Sequence, residues 1–148
     1  MKAHSMAGHL IRRLHQISTQ VFAARMQAEG FDLTPVQFAA VDAIATYPGI
    51  DQAGVAAKIA YDRATIGGVI DRLEQKGLVN RSVSKQDRRA REVRLSEQGQ
   101  ATYDRILPIV TDLQGDILSG LAEKEQDLFK AMARKVVTAT SPDQTPTT

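Results

Sequence analysis

The feature that most constrains this chain is the block Asp62–Leu95, which reads as a helix, a glycine stop and a two-stranded hairpin. Its helix carries one apolar stripe at three- and four-residue spacing, formed by Ile66, Val69, Ile70 and Leu73. Asp62 is a candidate N-cap, because its carboxylate can accept the unpaired N–H groups of the first turn. Gly77 can adopt positive φ after the last turn, and Leu78 can close a Schellman-type cap. The block therefore predicts a short helix that begins near Asp62 and ends before Gly77.

Two extended runs follow the helix, at residues 79–84 and 92–95. In each run, apolar residues two or four positions apart share one face, namely Val79 with Val83 and Val93 with Leu95. The connection between the runs is too polar to belong to a core. A helix beside a basic hairpin fits B-DNA, because the helix can fill the major groove while the hairpin reaches the adjacent backbone. The shape predicts double-stranded DNA as a partner.

The charge distribution supports the same interpretation. The net charge is only +2, but residues 61–96 hold nine Lys/Arg against five Asp/Glu, whereas residues 97–148 hold five against eight. Local fields govern the attraction of phosphates, so the basic centre matters more than the total. The alternative is a solvated hairpin edge protected against aggregation, made of Arg81, Arg88, Arg89, Arg91 and Arg94. The capped helix just upstream favours DNA binding.

Along nearly its whole length the chain resembles the MarR family of winged helix-turn-helix transcriptional regulators. The motifs that carry the resemblance are Leu33-Thr34-Pro35-x-Gln37-Phe38, Ala56-x-x-Ile59, Arg63-x-Thr65-x-x-x-x-Ile70-Asp71-Arg72-Leu73-x-x-Lys76-Gly77-Leu78-Val79 and Asp87-Arg88-Arg89-x-x-x-Val93-x-Leu95-Ser96-x-x-Gly99. The last two motifs together are specific, because a basic hairpin is common but this spacing after a capped helix is not.

The resemblance implies a mostly α fold with a small β-hairpin wing, in which N- and C-terminal helices form a dimerisation domain. We therefore expect a homodimer, with residues 1–32 and 97–140 as the helical dimerisation region and residues 33–96 as the winged helix-turn-helix region. Residues 141–148 are rich in Pro and Thr, which predicts a disordered tail.

Capping residues predict the remaining helices. Thr34 is a candidate N-cap, with Pro35 in the first helical position and Gln37 completing a capping box. Asp51 and Ser96 are candidate N-caps of a short helix and of a long C-terminal helix. With the apolar periodicity, these residues predict helices over residues 9–28, 35–47 and 52–59, and after Ser96 and Glu123.

The long helix after Ser96 carries a heptad-like seam, made of Tyr103, Ile106, Val110, Leu113 and Ile117. The family favours its use in a homodimer interface; the alternative is packing against the chain's own first helix. Pro108 lies inside this helix and is expected to kink it, because proline removes one backbone hydrogen bond and clashes with the preceding turn.

The exposed face of the predicted recognition helix offers candidate DNA contacts. Arg63, near the helix N-terminus, is best placed to reach a base edge, and Thr65 can meet a thymine methyl group or a phosphate. Arg72 is expected to contact phosphate or to pair with the wing. Gly67 and Gly68 depart from many relatives, which carry polar or basic side chains there; Gly68 can permit close approach of the backbone to DNA.

The hairpin tip supplies the other candidates, Arg88, Arg89 and Arg91. Arg89 is the residue that we expect to enter the minor groove, because a narrow A·T-rich groove concentrates negative potential. Asp87 is expected to orient a neighbouring arginine, Arg72 among them, through a charge-assisted hydrogen bond. DNA contacts at the tip and on the helix would together define a short, imperfect palindromic operator for a symmetric dimer.

The start of the chain suggests an effector site. Family members usually repress until a small molecule, often an aromatic acid, binds between the dimerisation and DNA-binding regions. Arg12 is a candidate anchor for an aromatic carboxylate, because a guanidinium matches a carboxylate bidentately. His9 and Gln16 share its helical face, and His15 is a further candidate. A solvated face or an interface salt bridge is the alternative.

Two segments, Gly8-His9-Leu10-x-Arg12-Arg13-Leu14 and Pro48-Gly49-Ile50-Asp51-Gln52, look like members of the family that control aromatic-acid catabolism. Aromatic residues that can line a pocket are also present, although their helical spacing favours a place in the core: Phe22, Phe38 and Tyr47.

Composition and missing motifs exclude other classes. No apolar run approaches the roughly 18 residues that span a bilayer, and no signal peptide precedes the first helix, so we expect a cytoplasmic protein that does not bind membranes. There is no cysteine, which excludes disulfides, thiolate catalysis and cysteine-based peroxide sensing. We find no phosphate-binding loop, metalloprotease motif or nucleophile elbow. We expect no enzyme, cofactor or metal. A constitutive or architectural DNA-binding protein, or an activator, remains the alternative.

Overall fold

The structure is a computed structural model that describes residues 1–140; the tail for which disorder is predicted lies outside the described residues. A 3-10 turn at Lys2–Ser5 precedes helices α1 (Ala7–Glu29), α2 (Pro35–Thr46), α3 (Gln52–Lys58) and α4 (Ile66–Gln75), strands β1 (Val79–Val83) and β2 (Arg91–Leu95), and helices α5 (Glu97–Ile117) and α6 (Glu123–Thr140). The two strands pair antiparallel, with Val79 opposite Leu95 and Val83 opposite Arg91. The mostly α fold with one small hairpin is confirmed.

The chain divides into two compact units, the first covering Met1–Leu113 and the second beginning at Gln114. The division falls within α5 and does not test the predicted dimerisation and DNA-binding regions. Among residues 1–140, none of the helices combines the length and the apolar character that crossing a bilayer requires.

Three predicted N-caps are confirmed by their hydrogen bonds. Thr34 Oγ1 accepts from the Gln37 N–H at 3.2 Å, and Gln37 Oε1 accepts from the Thr34 N–H at 3.3 Å, which completes the capping box. The Asp51 carboxylate accepts from the Gly54 N–H at 2.7 Å. Ser96 Oγ accepts from the Gly99 N–H at 2.9 Å and donates to the Gly77 carbonyl at 2.5 Å. Short-range sequence signals therefore fix where α2, α3 and α5 begin.

The start of α4 differs from the prediction. The helix begins at Ile66, and a turn precedes it in which the N–H groups of Thr65 and Ile66 both donate to the Asp62 carbonyl. The Asp62 carboxylate accepts the Ala64 N–H at 3.0 Å within this turn, and the N-cap residue of α4 is Thr65, so the prediction of Asp62 as the N-cap is wrong. Arg63 therefore lies in the turn before the helix and not on its face.

The end of α4 is the predicted Schellman motif. Gly77 has a φ of 76°, the Leu78 N–H donates to the Leu73 carbonyl at 3.0 Å, and the Gly77 N–H donates to the Glu74 carbonyl at 2.9 Å. The apolar stripe of α4 is buried as predicted, each residue being at most 7% exposed: Ile66, Val69, Ile70 and Leu73. Burial of this stripe leaves the opposite face of α4 exposed.

Of the α5 seam, Ile106, Val110 and Leu113 are buried within the single chain. At the start of α5, Gly99 packs directly on the turn after α4. A Cβ atom at residue 99 would lie 1.9 Å from the Leu78 carbonyl oxygen, so the site admits only glycine at this backbone distance. The N-terminus of α5 is thereby held against the end of α4.

Several apolar residues within the predicted helices and strands are exposed. Leu10 and Ile17 of α1 are 48% and 36% exposed, whereas Phe22 is buried at 5%. Tyr47 is 47% exposed, so its assignment to the core is wrong, because it follows the last turn of α2 and no longer shares the buried face. On β1, Val79 is buried but Val83 is 46% exposed, because the hairpin leaves the core toward its tip.

Candidate nucleic-acid interface

Arginines from two separate segments converge on one cleft. Arg63, in the turn before α4, and Arg89 and Arg91, in the hairpin, line a volume of about 420 Å³ together with Asp51 and Asp87. Arg63, Arg89 and Arg91 are exposed, and none forms an ion pair with a carboxylate among residues 1–140. This cleft is a basic, solvent-open surface that can accept phosphate oxygens or a base edge.

The hairpin tip is shaped by two short side chains. Ser84, which is buried at 7% exposure, accepts hydrogen bonds from the N–H groups of Gln86 and Asp87 at 3.2 and 3.3 Å. The Asp87 carboxylate accepts from the backbone N–H of Arg89 at 3.0 Å. The tip therefore turns tightly, and both Arg88 and Arg89 remain exposed.

The expected partner of Asp87 is corrected by this geometry. Within the described part of the chain, Asp87 makes no ion pair with Arg72 or with another arginine side chain; its bond goes to the backbone of Arg89. The reason is reach: a short carboxylate two residues away closes on the nearest amide of its own turn. The carboxylate of Asp87 therefore bonds to the main chain of the wing tip and not to an arginine side chain.

The other predicted DNA-contacting residues surround a second, separate groove. Thr65, Gly68 and Arg72 line a volume of about 320 Å³ beside Thr34 and Tyr61. A Cβ atom at residue 68 would meet nothing within 4 Å, so this face of α4 is open. The structure thus brings Arg63, Arg89 and Arg91 together and leaves Thr65, Gly68 and Arg72 as a separate set.

Arg81 differs from the other hairpin arginines, and the sequence did not reveal its contacts. Its side chain is 24% exposed and lies 2.6 Å from Asp71 and 3.1 Å from Glu74, both on α4. The hydrogen bond from Arg81 lowers the pKa of Glu74, and the bonds to Glu74 and Asp71 raise the pKa of Arg81. Of the two possibilities considered for the hairpin arginines, DNA contact or solvated edge, Arg81 fits neither.

The candidate effector residues of α1 form only local contacts. Arg12 Nη2 lies 3.3 Å from His9 Nδ1, and the rings of His4 and His9 are 5.0 Å apart. Gln16 accepts from Arg13 Nη1 at 2.6 Å. The structure therefore brings His9 and Arg12 together and turns Gln16 toward Arg13, while His15 is exposed on the same helix.

A cleft of about 430 Å³ lies between α2 and α3, away from the α1 candidates. Phe38 and Tyr47 line it, with Asp42 and Lys58, and the Lys58 ammonium stands 4.6 Å over the Tyr47 ring. Tyr103 of α5 donates to the Asp42 carboxylate at 2.5 Å, and this bond raises the pKa of Tyr103 to about 12. Phe38 and Tyr47, which the sequence suggests as aromatic lining of a pocket, therefore share this cleft with a cation, Lys58. The sequence gives no signal for Lys58.

Comparison with known proteins gives the family. Residues 33–90 match the MarR family model. The chain is 34% identical to transcriptional regulator HosA of Escherichia coli O111:H-, over 94% of this chain and 100% of that protein. It is 32% identical to the HTH-type transcriptional repressor NicR of Pseudomonas putida, over 88% of this chain and 81% of that protein. The chain belongs to the MarR family of transcriptional regulators, as its motifs predict.

Solved structures of three regulators share the fold. PcaV of Streptomyces coelicolor, in complex with its natural ligand, matches with a TM-score of 0.83 at 29% identity, over 94% of this chain and 96% of that one. BpsR of Bordetella bronchiseptica, whose DNA binding is regulated by 6-hydroxynicotinic acid, matches at 0.82 and 28%, over 90% and 94%. CouR, a transcriptional repressor bound to a 23-mer DNA duplex, matches at 0.82 and 25%, over 92% and 95%. The winged helix-turn-helix architecture is confirmed.

Proposed function

We propose that this protein binds a palindromic operator in double-stranded DNA as a homodimer and represses transcription until a small aromatic carboxylate releases it. The observation that carries the DNA-binding part is the convergence of Arg63, Arg89 and Arg91 on one exposed cleft. Three cations without an acidic partner among residues 1–140 are a favourable site for the phosphate backbone, where counterion release drives affinity.

The proposed contacts divide between groove and backbone. α4 enters the major groove with Thr65, Gly68 and Arg72 on its exposed side, and Arg63 approaches the DNA from the turn before it. Arg89 enters the minor groove, where a guanidinium gains most from a narrow A·T-rich segment. Arg88 and Arg91 contact the backbone, and Asp87 holds the wing tip through the Arg89 amide.

The proposed homodimer uses apolar residues that a single chain leaves exposed. On α1 these are Leu10 and Ile11, at 48% and 62%, and on α6 they are Leu128 and Met132, both at 60%. Burying such residues in a second copy of the chain removes apolar surface from water. A two-fold dimer would set its recognition helices about 34 Å apart, one turn of the DNA helix.

For the effector, the relatives supply the chemical class. BpsR responds to 6-hydroxynicotinic acid, an aromatic carboxylate, and we extend that class to this chain. Two cations are rival anchors for its carboxylate: Arg12 beside His9 on α1, and Lys58 in the cleft walled by Phe38 and Tyr47. Arg12 offers a bidentate fork, whereas Lys58 offers a single point charge next to an aromatic wall.

Release would follow from a population shift. An effector that prefers a dimer geometry with the wrong spacing of recognition helices lowers operator affinity, and it can do so only by its differential affinity for the two geometries. This role requires access to DNA, and we therefore expect the protein in the cytoplasm.

Fluorescence anisotropy at fixed salt tests the proposal, with DNA from upstream of the protein's own gene and a random duplex of equal length as control. We expect tight binding to the first duplex and release by one member of a panel of aromatic carboxylates and their CoA thioesters. Equal affinity for both duplexes would reject sequence-specific regulation and favour an architectural role.

The second candidate is a constitutive or activating DNA-binding regulator with no aromatic ligand. It is favoured by the local contacts of the α1 cluster, since Arg12 and His9 satisfy each other on an exposed helical face. Selective operator binding that no compound in the panel disturbs would support it. Transcription assays with the operator placed inside or upstream of a promoter would then separate repression from activation.

A further inference from the structure

Arg81 joins three elements of the DNA-binding region. It lies in the middle of β1, opposite Val93 of β2. Its Nε and Nη2 atoms donate to the two carboxylate oxygens of Glu74 on α4, at 3.3 and 3.1 Å, and its Nη1 atom donates to Gln52 of α3 at 3.1 Å. Nη2 also lies 2.6 Å from Asp71. One guanidinium thus connects the wing to both helices of the helix-turn-helix.

This arrangement uses the planar fork of arginine fully. Nε and Nη2 bind the carboxylate of Glu74 bidentately. Nη1 donates to Gln52, and Nη2 also contacts Asp71. A lysine ammonium could carry the charge but could not reproduce that geometry, because it is a point donor on a flexible stem. At 24% exposure Arg81 is the more enclosed partner, and Asp71 and Glu74 are 52% and 43% exposed.

The contacts of Arg81 also change the net charge on the part of α4 that we propose to face DNA. Asp71 is a direct neighbour of Arg72, which we propose as a DNA contact. Without a cation beside them, Asp71 and Glu74 would repel phosphates at distances shorter than a Debye length. With Arg81 in place, its single positive charge offsets one of the two negative charges and lies within 2.6 Å of Asp71 and 3.1 Å of Glu74. Arg81 itself faces α4 and is not among the residues that line the solvent-open cleft.

We propose that Arg81 is a positioning residue: it fixes the angle between the wing and the recognition helix α4, and it does not contact DNA. The inference rests on the proposed DNA-binding function and deepens it. Operator selectivity requires the wing and α4 to enter their two grooves at the same time. If the wing can move by about 1 Å relative to α4, the two contacts no longer form together and selectivity falls.

The first test needs no DNA. Hydrogen exchange of the free, full-length protein is compared between the wild type, Arg81→Met and Arg81→Lys. We expect faster exchange in β1 and in the second half of α4 for both variants, with α1 unchanged. Wild-type exchange rates in both variants would overturn the proposal. If Arg81→Met does not fold, Arg81→Lys alone decides.

The second test is anisotropy on operator and random duplexes at several salt concentrations. Arg81→Lys should lower the operator-to-random affinity ratio by about tenfold, since the fork is lost, while keeping the wild-type salt slope, since the charge remains. The matched control is Arg88→Met at the exposed wing tip, which should lower the salt slope by about one and weaken both duplexes alike. A wild-type ratio in Arg81→Lys would overturn the proposal.

A triple variant separates geometry from charge. Arg81→Met combined with Asp71→Asn and Glu74→Gln removes the cation and both carboxylates; we expect it to recover affinity for random DNA but not the operator ratio. Full recovery of the ratio would mean that Arg81 acts only by neutralisation and would overturn positioning. Absence of any operator preference in the wild type would reject the proposed function, while hydrogen exchange would still decide the role of Arg81.

Discussion

Both the base and the tip of the wing carry arginine, but among residues 1–140 the arginine at the base is paired with acidic side chains and the arginines at the tip are not. At the base, Arg81 is 24% exposed and paired with two carboxylates and an amide. At the tip, Arg88 and Arg89 are exposed and make no ion pair among residues 1–140. Positive charge in a hairpin therefore does not by itself measure the affinity of that hairpin for DNA. Burial and acidic partners decide which arginines remain available.

The base of the wing adjoins a larger region, called the anchored region below, in which the end of α4 and the start of α5 are held together. There Gly77 and Leu78 end α4, Ser96 bonds to the Gly77 carbonyl, and Gly99 packs on Leu78. The presenting region, by contrast, consists of the turn with Arg63 and the tip with Arg88 and Arg89. We expect substitutions in the anchored region to change the free energy of unfolding and those in the presenting region to change DNA affinity.

The largest effect is expected from Gly99→Ala. A Cβ atom at this position would lie 1.9 Å from the Leu78 carbonyl oxygen, and relieving that overlap must move backbone. We expect a loss of about 3 kcal/mol in the free energy of unfolding, measured by urea denaturation.

Gly68→Ala is the matched control, because a Cβ there meets nothing within 4 Å and the residue lies inside α4. It should stabilise the protein by up to about 1 kcal/mol. Equal effects of the two substitutions would contradict the tight packing of residue 99 on Leu78. A stabilised Gly68→Ala variant that binds DNA more weakly would identify close backbone approach at residue 68.

Tyr103→Phe should give a smaller, pH-dependent loss of stability. Removing the hydroxyl that donates to Asp42 is expected to cost about 1 to 2 kcal/mol at neutral pH. The folded pKa of Tyr103 is raised from 10.0 to about 12, so the contribution is full below pH 10 and declines as the pH rises toward 12. Unfolding of both proteins between pH 7 and 11 checks this; a constant gap would refute the bond.

Arg89→Ala tests the presenting region without affecting stability. We expect affinity for every duplex to fall by about tenfold and the salt slope to decrease by about one, because one guanidinium leaves the DNA. Arg13→Ala on α1 is the control, since it removes another exposed arginine that we do not place at DNA. Unchanged affinity of Arg89→Ala across several salt concentrations would show that the wing tip does not touch DNA.

The smallest effect on DNA affinity is expected from Arg12→Ala and Lys58→Ala. Both should bind the operator as the wild type does, and one of them should need a several-fold higher effector concentration for release. That variant identifies the anchor. Loss of operator binding in Arg12→Ala would assign it a structural role, and full effector response in both variants would remove both candidates.

Signals within a few residues were predictable. The capping box at Thr34, the caps at Asp51 and Ser96 and the Schellman motif at Gly77 all depend on contacts within five residues of each other, and all are confirmed. Family motifs added the architecture and the winged helix-turn-helix class. The predicted start of α4 was wrong by a few residues, because Asp62 stabilises a turn that precedes the helix and the N-cap of the helix is Thr65.

Contacts between distant segments were not predictable. Arg81 meets Gln52, 29 residues away, only because the hairpin folds back over α3, and Asp42 meets Tyr103 across 61 residues. Periodicity reports which face of an element is apolar but not which neighbour covers it. For that reason the exposure of Tyr47 and the cation of Lys58 appear only in the structure.

A crystal structure of the protein bound to its operator duplex would show directly which arginines contact DNA and which hold the wing against α4. We expect Arg89 in the minor groove, Arg63 at the DNA, and Arg81 still paired with Asp71 and Glu74. An Arg81 side chain that leaves α4 for a phosphate, with Arg89 in solvent, would contradict this expectation.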